Sequence, residues 1–132
     1  MSIRLCWIAV LIGLLACGGT EEPFAPPPEL DGWSLESFEP VPPQRVPAGV
    51  SSHSVEAAYR AVYRGEAGSA AVELYRMKAA PSAFELVQQW RPQEGKVAGY
   101  RGRWFFVVSA PEAGSEALSA LADALEKSLA RR

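Results

Sequence analysis

After residue 50, apolar residues recur with a period of two in some segments and with the period of a helix in others. This combination of strand and helix patterns predicts a small α+β domain. Between residues 55 and 64, apolar and aromatic residues alternate with polar ones, as is typical of a strand with one solvated face. Residues 65–68 have the composition of a turn, and the alternation resumes over residues 70–77. The two alternating segments therefore predict a β-hairpin.

Two segments with the period of a helix follow this hairpin. Apolar residues recur at i, i+3, i+4 and i+7 over residues 83–90, and Ser82 with Glu85 matches a capping box at the start. Pro92 is expected to end this helix. A last helix is predicted to open at Gly114-Ser115. Its apolar stripe consists of Leu118, Leu121, Ala122, Leu125 and Leu129.

A second hairpin is predicted between the two helices. Residues 96–100 and 104–108 have strand character, and Arg101-Gly102-Arg103 forms the tight turn. The strand at residues 104–108 is apolar on both faces, so it is central or covered on both sides. The element order ββαββα predicts a small antiparallel sheet with two helices on one face. This is an α+β domain over residues 51–132.

A proline-rich spacer is predicted over residues 17–50, ahead of this domain. Because proline fixes φ and lacks an N–H, the spacer is expected to be extended, with polyproline II character. At about 3.1 Å per residue it would reach on the order of 100 Å. Within it, Trp33 and Leu35 are two residues apart, as on one face of a strand. Phe38 follows three residues later, which breaks this alternation by one residue. These residues predict a short extended segment that docks on the domain or binds a partner.

The N-terminus has the pattern of an export signal. Arg4 precedes an apolar run over residues 5–16, and Cys17 follows it. The run has the length of a signal-peptide core and is shorter than the roughly 20 residues of a membrane-spanning helix. Leu14, Leu15 and Ala16 before Cys17 resemble the lipobox of bacterial lipoproteins.

The lipobox resemblance implies a lipid anchor and a location. Residues 1–16 would be removed as a signal peptide, and Cys17 would carry a diacylglyceryl group and an acyl chain such as palmitate. Gly18, rather than Asp, after the cysteine favours the outer membrane, facing the periplasm. The alternative is an ordinary secretory signal with Cys17 left as a thiol. Since Cys6 would leave with the signal peptide, the mature domain is expected to have no disulfide.

A second resemblance concerns the domain. Residues 74–77 form a strand with an aromatic residue and a Met, and residues 80–84 continue into a helix that begins with Ala and Phe. This pattern resembles a family of uncharacterised bacterial exported proteins. The resemblance implies a shared fold over this part of the domain and no particular activity.

The charge distribution argues against a polyanion such as nucleic acid as the partner. The formal net charge is −2. Residues 18–50 carry six acidic residues and one basic residue, whereas residues 51–132 carry 11 basic and nine acidic residues. An acidic spacer therefore precedes a mildly basic domain. An exported chain of this balance has no expected nucleic-acid partner.

Residues that could support catalysis or metal binding are few. His53 is the only histidine and follows a serine-rich entry to the first strand, where a solvated loop histidine is expected. With no second His and no free thiol, neither a metal nor any other cofactor is predicted. Glu56 and Glu73 lie on facing strands, where ion pairs with Arg60 or Arg76 are favoured over an acid–base dyad.

One cluster of the second hairpin has the residue types of a binding surface. Its members are Lys96, Tyr100, Arg101, Arg103 and Trp104. One interpretation is an edge hairpin whose charges prevent aggregation. The other is a patch in which guanidinium groups and an aromatic face contact an anion or a glycan.

Three functional hypotheses follow. The favoured one is a lipid-anchored envelope protein that is not an enzyme, whose domain binds an envelope protein or polymer. The alternative is a carrier or sensor of a small molecule or glycan, held between the helices and residues 104–108 or under Trp33. The third is a hydrolase that uses Glu73 or His53. The oligomeric state does not follow from the sequence.

Overall fold

A computed structural model describes residues 24–131, which form a curved antiparallel sheet with helices on both faces. The predicted signal peptide and lipobox, including Cys17, lie outside the described residues. The strands are β1 (Glu29–Leu30), β2 (Trp33–Pro40), β3 (Val55–Gly65), β4 (Gly68–Met77), β5 (Lys96–Arg101) and β6 (Trp104–Ser109). The helices are α1 (Ala48–Ser51), α2 (Ala80–Gln89) and α3 (Ser115–Ala130).

The predicted α+β fold on an antiparallel sheet is confirmed. The strand order is β1-β2-β3-β4-β6-β5, and every neighbouring pair is antiparallel. Both predicted hairpins, β3–β4 and β5–β6, are present. Gly102 in the β5–β6 turn has φ of +56°, a conformation that glycine adopts without a steric cost.

The two long helices lie on opposite faces of the sheet, so the prediction of two helices on one face is wrong. In β6, Phe105 and Val107 pack with α2, whereas Phe106 and Val108 pack with α3. Successive side chains of a strand point to opposite faces. Because β6 is apolar on both faces, it requires a cover on each side, and one helix supplies each cover.

The sheet curls into a half barrel around α3. This helix contacts both β1 and β5, the two edge strands of the six-stranded sheet. In a flat sheet those edges would be about 24 Å apart, too far for one helix to reach both. The face that carries α3 is therefore concave. Every residue of the predicted α3 stripe is buried: Leu118, Leu121, Ala122, Leu125 and Leu129.

The domain includes much of the predicted spacer, so the boundary at residue 51 is wrong. β1 and β2 extend the sheet beyond β3, and the side chain of Trp33 is buried in the concave core. A Cβ atom at Gly65 would lie 2.9 Å from the Trp33 ring, so glycine permits this approach. The prolines do not prevent pairing because β2 contains only Pro40, at its end.

A β-bulge explains why Phe38 breaks the alternation of Trp33 and Leu35. The register of β2 against β3 shifts between Leu35 and Ser37. One extra residue at that point returns Phe38 to the face that Trp33 and Leu35 occupy, and all three pack on the concave core. The predicted docking segment is therefore an integral strand.

The first described residues cross the concave face and are fixed there. The ring of Phe24 lies 4.6 Å from that of Trp104, 5.4 Å from that of Tyr59 and 6.0 Å from that of Phe38. The Tyr63 hydroxyl donates a hydrogen bond of 2.8 Å to the carbonyl of Pro27. The part of the spacer that precedes the domain is thereby shortened to residues 17–23.

The ends of α2 differ in detail from the prediction. Its N-cap is Ala79, and no side chain makes a capping hydrogen bond, so the predicted capping box of Ser82 and Glu85 is absent. Proline in the first turn supports the start instead. Among the described residues, no helix has both the length and the apolar character needed to cross a membrane.

Replacement of Trp33 tests whether residues 24–40 belong to the domain. We expect Trp33→Ala to lower the free energy of unfolding by about 3–5 kcal/mol because it leaves a cavity in the concave core. Phe84, which is 43% exposed, provides the matched control, and Phe84→Ala is expected to cost under about 1 kcal/mol. Denaturant unfolding measures both values. Equal stability of Trp33→Ala and the wild type would contradict the fold.

Candidate functional site

A groove opens on the concave side, between the N-terminal segment, the β5–β6 turn and the end of α3. Its volume is about 1090 Å³. We call it the basic groove because five cations line it, against two carboxylates, those of Glu29 and Asp31. The five cations are Arg76, Arg101, Arg103, Lys127 and Arg131.

Acidic side chains position three of these cations. Glu56 accepts hydrogen bonds from Arg76 at 3.0 Å and from Arg103 at 3.3 Å. The pair of Glu56 with Arg76 confirms the predicted cross-strand ion pair. Arg101 lies 3.7 Å from Glu126, and both side chains are about half exposed. Exposed pairs of this kind contribute little stability and leave the guanidinium accessible to another anion.

The last turn of α3 supplies the remaining two cations. Lys127 and Arg131 are four residues apart and therefore lie on the same side of the helix. Within residues 24–131, neither has an ion pair. Both side chains line the groove and are exposed to solvent. This part of the groove therefore carries two cations that form no ion pair with a described carboxylate.

Aromatic rings form part of the groove wall. Phe24 and Trp104 both line it, and the guanidinium carbon of Arg76 lies 5.6 Å from the centre of the Trp104 ring. A cation over an indole face is attracted by the ring quadrupole, which helps to fix the position of Arg76. The groove thus combines positive charge with an apolar wall.

The opposite end of the domain is acidic. β4 and β5 run lengthwise between the two ends, so the β3–β4 turn with Glu66 lies far from Arg101. A Cβ atom at Gly68 would meet the Glu112 carboxylate, and one at Gly95, next to Glu94, would lie 3.2 Å from Pro111. Glu66, Glu94 and Glu112 therefore lie near one end, where they outnumber Arg64 and Lys96, whereas the basic groove lies at the other end.

The patch predicted from the sequence is divided between the two faces. Arg101 and Trp104 line the basic groove, as does Arg103 in the turn between them. Tyr100 instead contacts Phe84 of α2, with ring centres 5.4 Å apart, and Lys96 lines a cavity on the convex face. The division follows from strand alternation, since residues 96, 98 and 100 share one face of β5.

Three groove cations were not predicted as site residues. Arg76 was considered only for an ion pair, and neither Lys127 nor Arg131 was considered for a site. Their spacing places them on one side of α3, but no pattern indicated that this end of the helix would face the β5–β6 turn. That proximity arises from the packing of α3 against β5.

A second cavity, of about 390 Å³, lies on the convex face of the sheet, between α1, α2 and the strands. We call it the convex cavity. Val50, Leu86 and Phe105 give it apolar walls, and Glu73 and Lys96 are among its polar groups. A pocket of this size with a few polar groups is typical of a site for a small molecule.

Two polar groups that line the convex cavity, the Tyr75 hydroxyl and the Trp90 indole N–H, belong to largely buried side chains. The Tyr75 hydroxyl donates a hydrogen bond of 3.3 Å to the carboxylate of Glu73. Burial raises the pKa of Tyr75, and the charge of Glu73 raises that pKa further, so the phenol stays un-ionised in neutral solution. The indole N–H of Trp90 is buried without a hydrogen-bond partner among the described residues.

The residues considered for catalysis have separate partners. His53 Nδ1 lies 3.6 Å from the Glu85 carboxylate, whereas Glu73 contacts Tyr75 and Glu56 contacts two arginines. Within residues 24–131, no group of three or more His, Cys, Asp and Glu residues is arranged to hold a metal ion. Among the described residues, His53 and Glu73, the two named for the hydrolase hypothesis, therefore lie in separate contacts.

Comparison with known proteins gives no independent assignment. No family model, no curated protein and no solved structure matches this chain. The geometry of the two cavities and the N-terminal sequence are therefore the observations from which a function can be proposed.

Proposed function

We propose that the protein is a lipid-anchored component of the bacterial cell envelope whose domain binds an anionic partner and is not an enzyme. The observation that carries this proposal is the basic groove, which presents five cations on a preformed surface. Resemblance of residues 14–17 to a lipobox supports the anchor. On this proposal the domain remains outside the cytoplasm, attached to a membrane through the acyl chains of Cys17.

Anion binding agrees with the way in which the cations are held. Arg76 and Arg103 are oriented by Glu56, and Arg101 contacts Glu126, so these side chains have less freedom to lose when a ligand binds. Charge-assisted hydrogen bonds contribute more than neutral ones, on the order of 1.5–3 kcal/mol each. The aromatic wall provides contact for the apolar part of a ligand.

The convex cavity favours a second candidate function, a carrier or sensor of a small molecule. Its apolar walls and the nearby polar groups Glu73 and Lys96 suit a small amphipathic compound. The cavity lies between α2 and the strand that contains Phe105, which is one of the places expected for such a ligand from the sequence. The basic groove remains the first candidate because it is larger and has more charged side chains, mostly cations.

Replacement of Cys17 tests the lipid anchor. We expect Cys17→Ser to remove the acyl chains, because serine offers no thiol for the diacylglyceryl group. The expected result is a shift of the protein from the membrane fraction, measured by fractionation together with mass spectrometry of the N-terminus. Cys6→Ser is the matched control and should leave the distribution unchanged. Acyl-free Cys17 in the wild type would contradict the anchor.

Neutralisation of the groove tests anion binding. The triple variant Arg101→Gln, Lys127→Gln, Arg131→Gln should bind inorganic polyphosphate, a soluble anionic probe, roughly tenfold or more weakly than the wild type. The loss is expected because three cations that face the groove are removed. Calorimetric titration of the purified protein at fixed ionic strength measures the affinity.

A second triple variant controls for net charge. Arg45, Arg60 and Arg91 are exposed and lie outside the groove, and their change to Gln should alter affinity by less than about twofold. An equal loss in both variants would indicate nonspecific attraction and would contradict the groove as the site. Binding of a small organic compound that Val50→Trp blocks would favour the convex cavity instead.

A further inference from the structure

The fold brings the domain close to its anchor. Phe24 is 7% exposed and fixed by three aromatic rings, so only residues 18–23 separate the domain from the acylated cysteine. The seven steps of chain from Cys17 to Phe24 span at most about 25 Å when fully extended. A domain of this size has a diameter of roughly 34 Å. The linker is therefore shorter than the domain, which must remain near the membrane surface.

The linker also joins the domain at a particular place. Phe24 and Pro27 line the basic groove, so the chain leaves the domain at the wall of the groove. The groove end consequently has the shortest path to the acyl chains. The end with Glu66 and Glu112 is separated from it by the length of β4, which is about 30 Å.

The charges of the two ends favour the same orientation. Five cations and two carboxylates line the groove, and Glu56 and Glu126 lie next to three of the cations. With these partners counted, a small positive excess remains at the groove end. At the other end the carboxylates of Glu66, Glu94 and Glu112 outnumber the cations Arg64 and Lys96. An anionic membrane surface would attract the groove end and repel the opposite end.

The distances allow this attraction to act. The field of a charged membrane falls off within a Debye length, about 8 Å at physiological ionic strength. A spacer of 100 Å would allow the domain to stay far outside that range. The short linker instead keeps the groove end close enough to enter the range of the membrane field. Lys127 and Arg131, on the last turn of α3, are exposed for contact.

We infer that the anionic partner of the basic groove is the headgroup layer of the membrane that holds the acyl chains of Cys17. The domain lies with its groove end on anionic phospholipid headgroups and its acidic end outward. This inference rests on the proposed lipid anchor and identifies the ligand of the proposed anion-binding site. The acyl chains and the groove then form two attachments to one surface. Because the acyl chains already hold the protein there, binding of the groove to the headgroups becomes an intramolecular step.

The test measures the orientation of the full mature lipoprotein in vesicles. A thiol is introduced at Ala130→Cys in the groove wall or, separately, at Ala67→Cys in the β3–β4 turn; both positions are exposed. Each thiol is labelled with a donor dye, and an acceptor dye is attached to lipid headgroups. Vesicles consist of phosphatidylcholine with or without phosphatidylglycerol. Energy transfer reports how close each end lies to the membrane.

The expected result is an unequal transfer. With phosphatidylglycerol present, transfer from position 130 should be at least about twofold higher than from position 67, given their separation of about 30 Å. The ratio should fall towards one without phosphatidylglycerol. The Gln triple variant of Arg101, Lys127 and Arg131 should also lower it, whereas the triple variant of Arg45, Arg60 and Arg91 should retain it.

Three results would overturn the inference. Equal transfer from both labels, higher transfer from position 67, or a ratio that the groove variant leaves unchanged each excludes headgroup docking. If such a result accompanies groove-dependent binding of polyphosphate, a soluble polyanion is the occupant instead. Mass spectrometry of the same sample separates the two proposals, because an acyl-free Cys17 contradicts the lipid anchor itself, whatever the labels show.

Discussion

Aromatic packing of Phe24 is the contact on which the account of this protein depends. Its ring meets Phe38, Tyr59 and Trp104, and so joins the N-terminal segment to β2, β3 and β6 at once. The segment then crosses the concave face, closes one side of the half barrel and contributes β1 and β2. Without this contact residues 24–28 would not be fixed on the concave face, whereas β2 would keep its pairing with β3.

The basic groove is a consequence of that closure. Its walls come from parts of the chain that are distant in sequence: the N-terminal segment, the β5–β6 turn and the end of α3. Packing of α3 against β5 brings Arg101 near Lys127 and Arg131, and the curvature of the sheet brings the N-terminal segment to the other side of the helix. The same closure fixes where the chain leaves the domain and how far the domain can move from an acylated Cys17. Fold, binding surface and orientation at the membrane are therefore linked through one segment.

Local periodicity predicted the parts of the fold whose environment is set by nearby residues. The α3 stripe, both hairpins and the burial of β6 on two faces follow from such patterns. Proline content misled the interpretation of residues 24–50, because the prolines lie before β1, at the last residue of β2 and in the turns that follow it, outside the interior of the strands. The groove could be predicted only in part: Arg101, Arg103 and Trp104 were identified, but their proximity to α3 depends on how the helix packs across the sheet, which no local pattern encodes.

Amide hydrogen exchange at Val41 and Leu35 measures directly whether the N-terminal segment is folded onto the domain. The Val41 N–H donates to the Ala58 carbonyl of β3 at 2.8 Å, a bond that exists only if the segment is paired with the domain, and the Leu35 N–H donates within the segment to the Pro28 carbonyl, also at 2.8 Å, a bond that an unfolded segment would not hold. We predict slow exchange of these two amides, comparable with that of Met77, whose N–H bonds to the Arg103 carbonyl within the sheet. Exchange at the rate of an unfolded chain, with Met77 still protected, would contradict it.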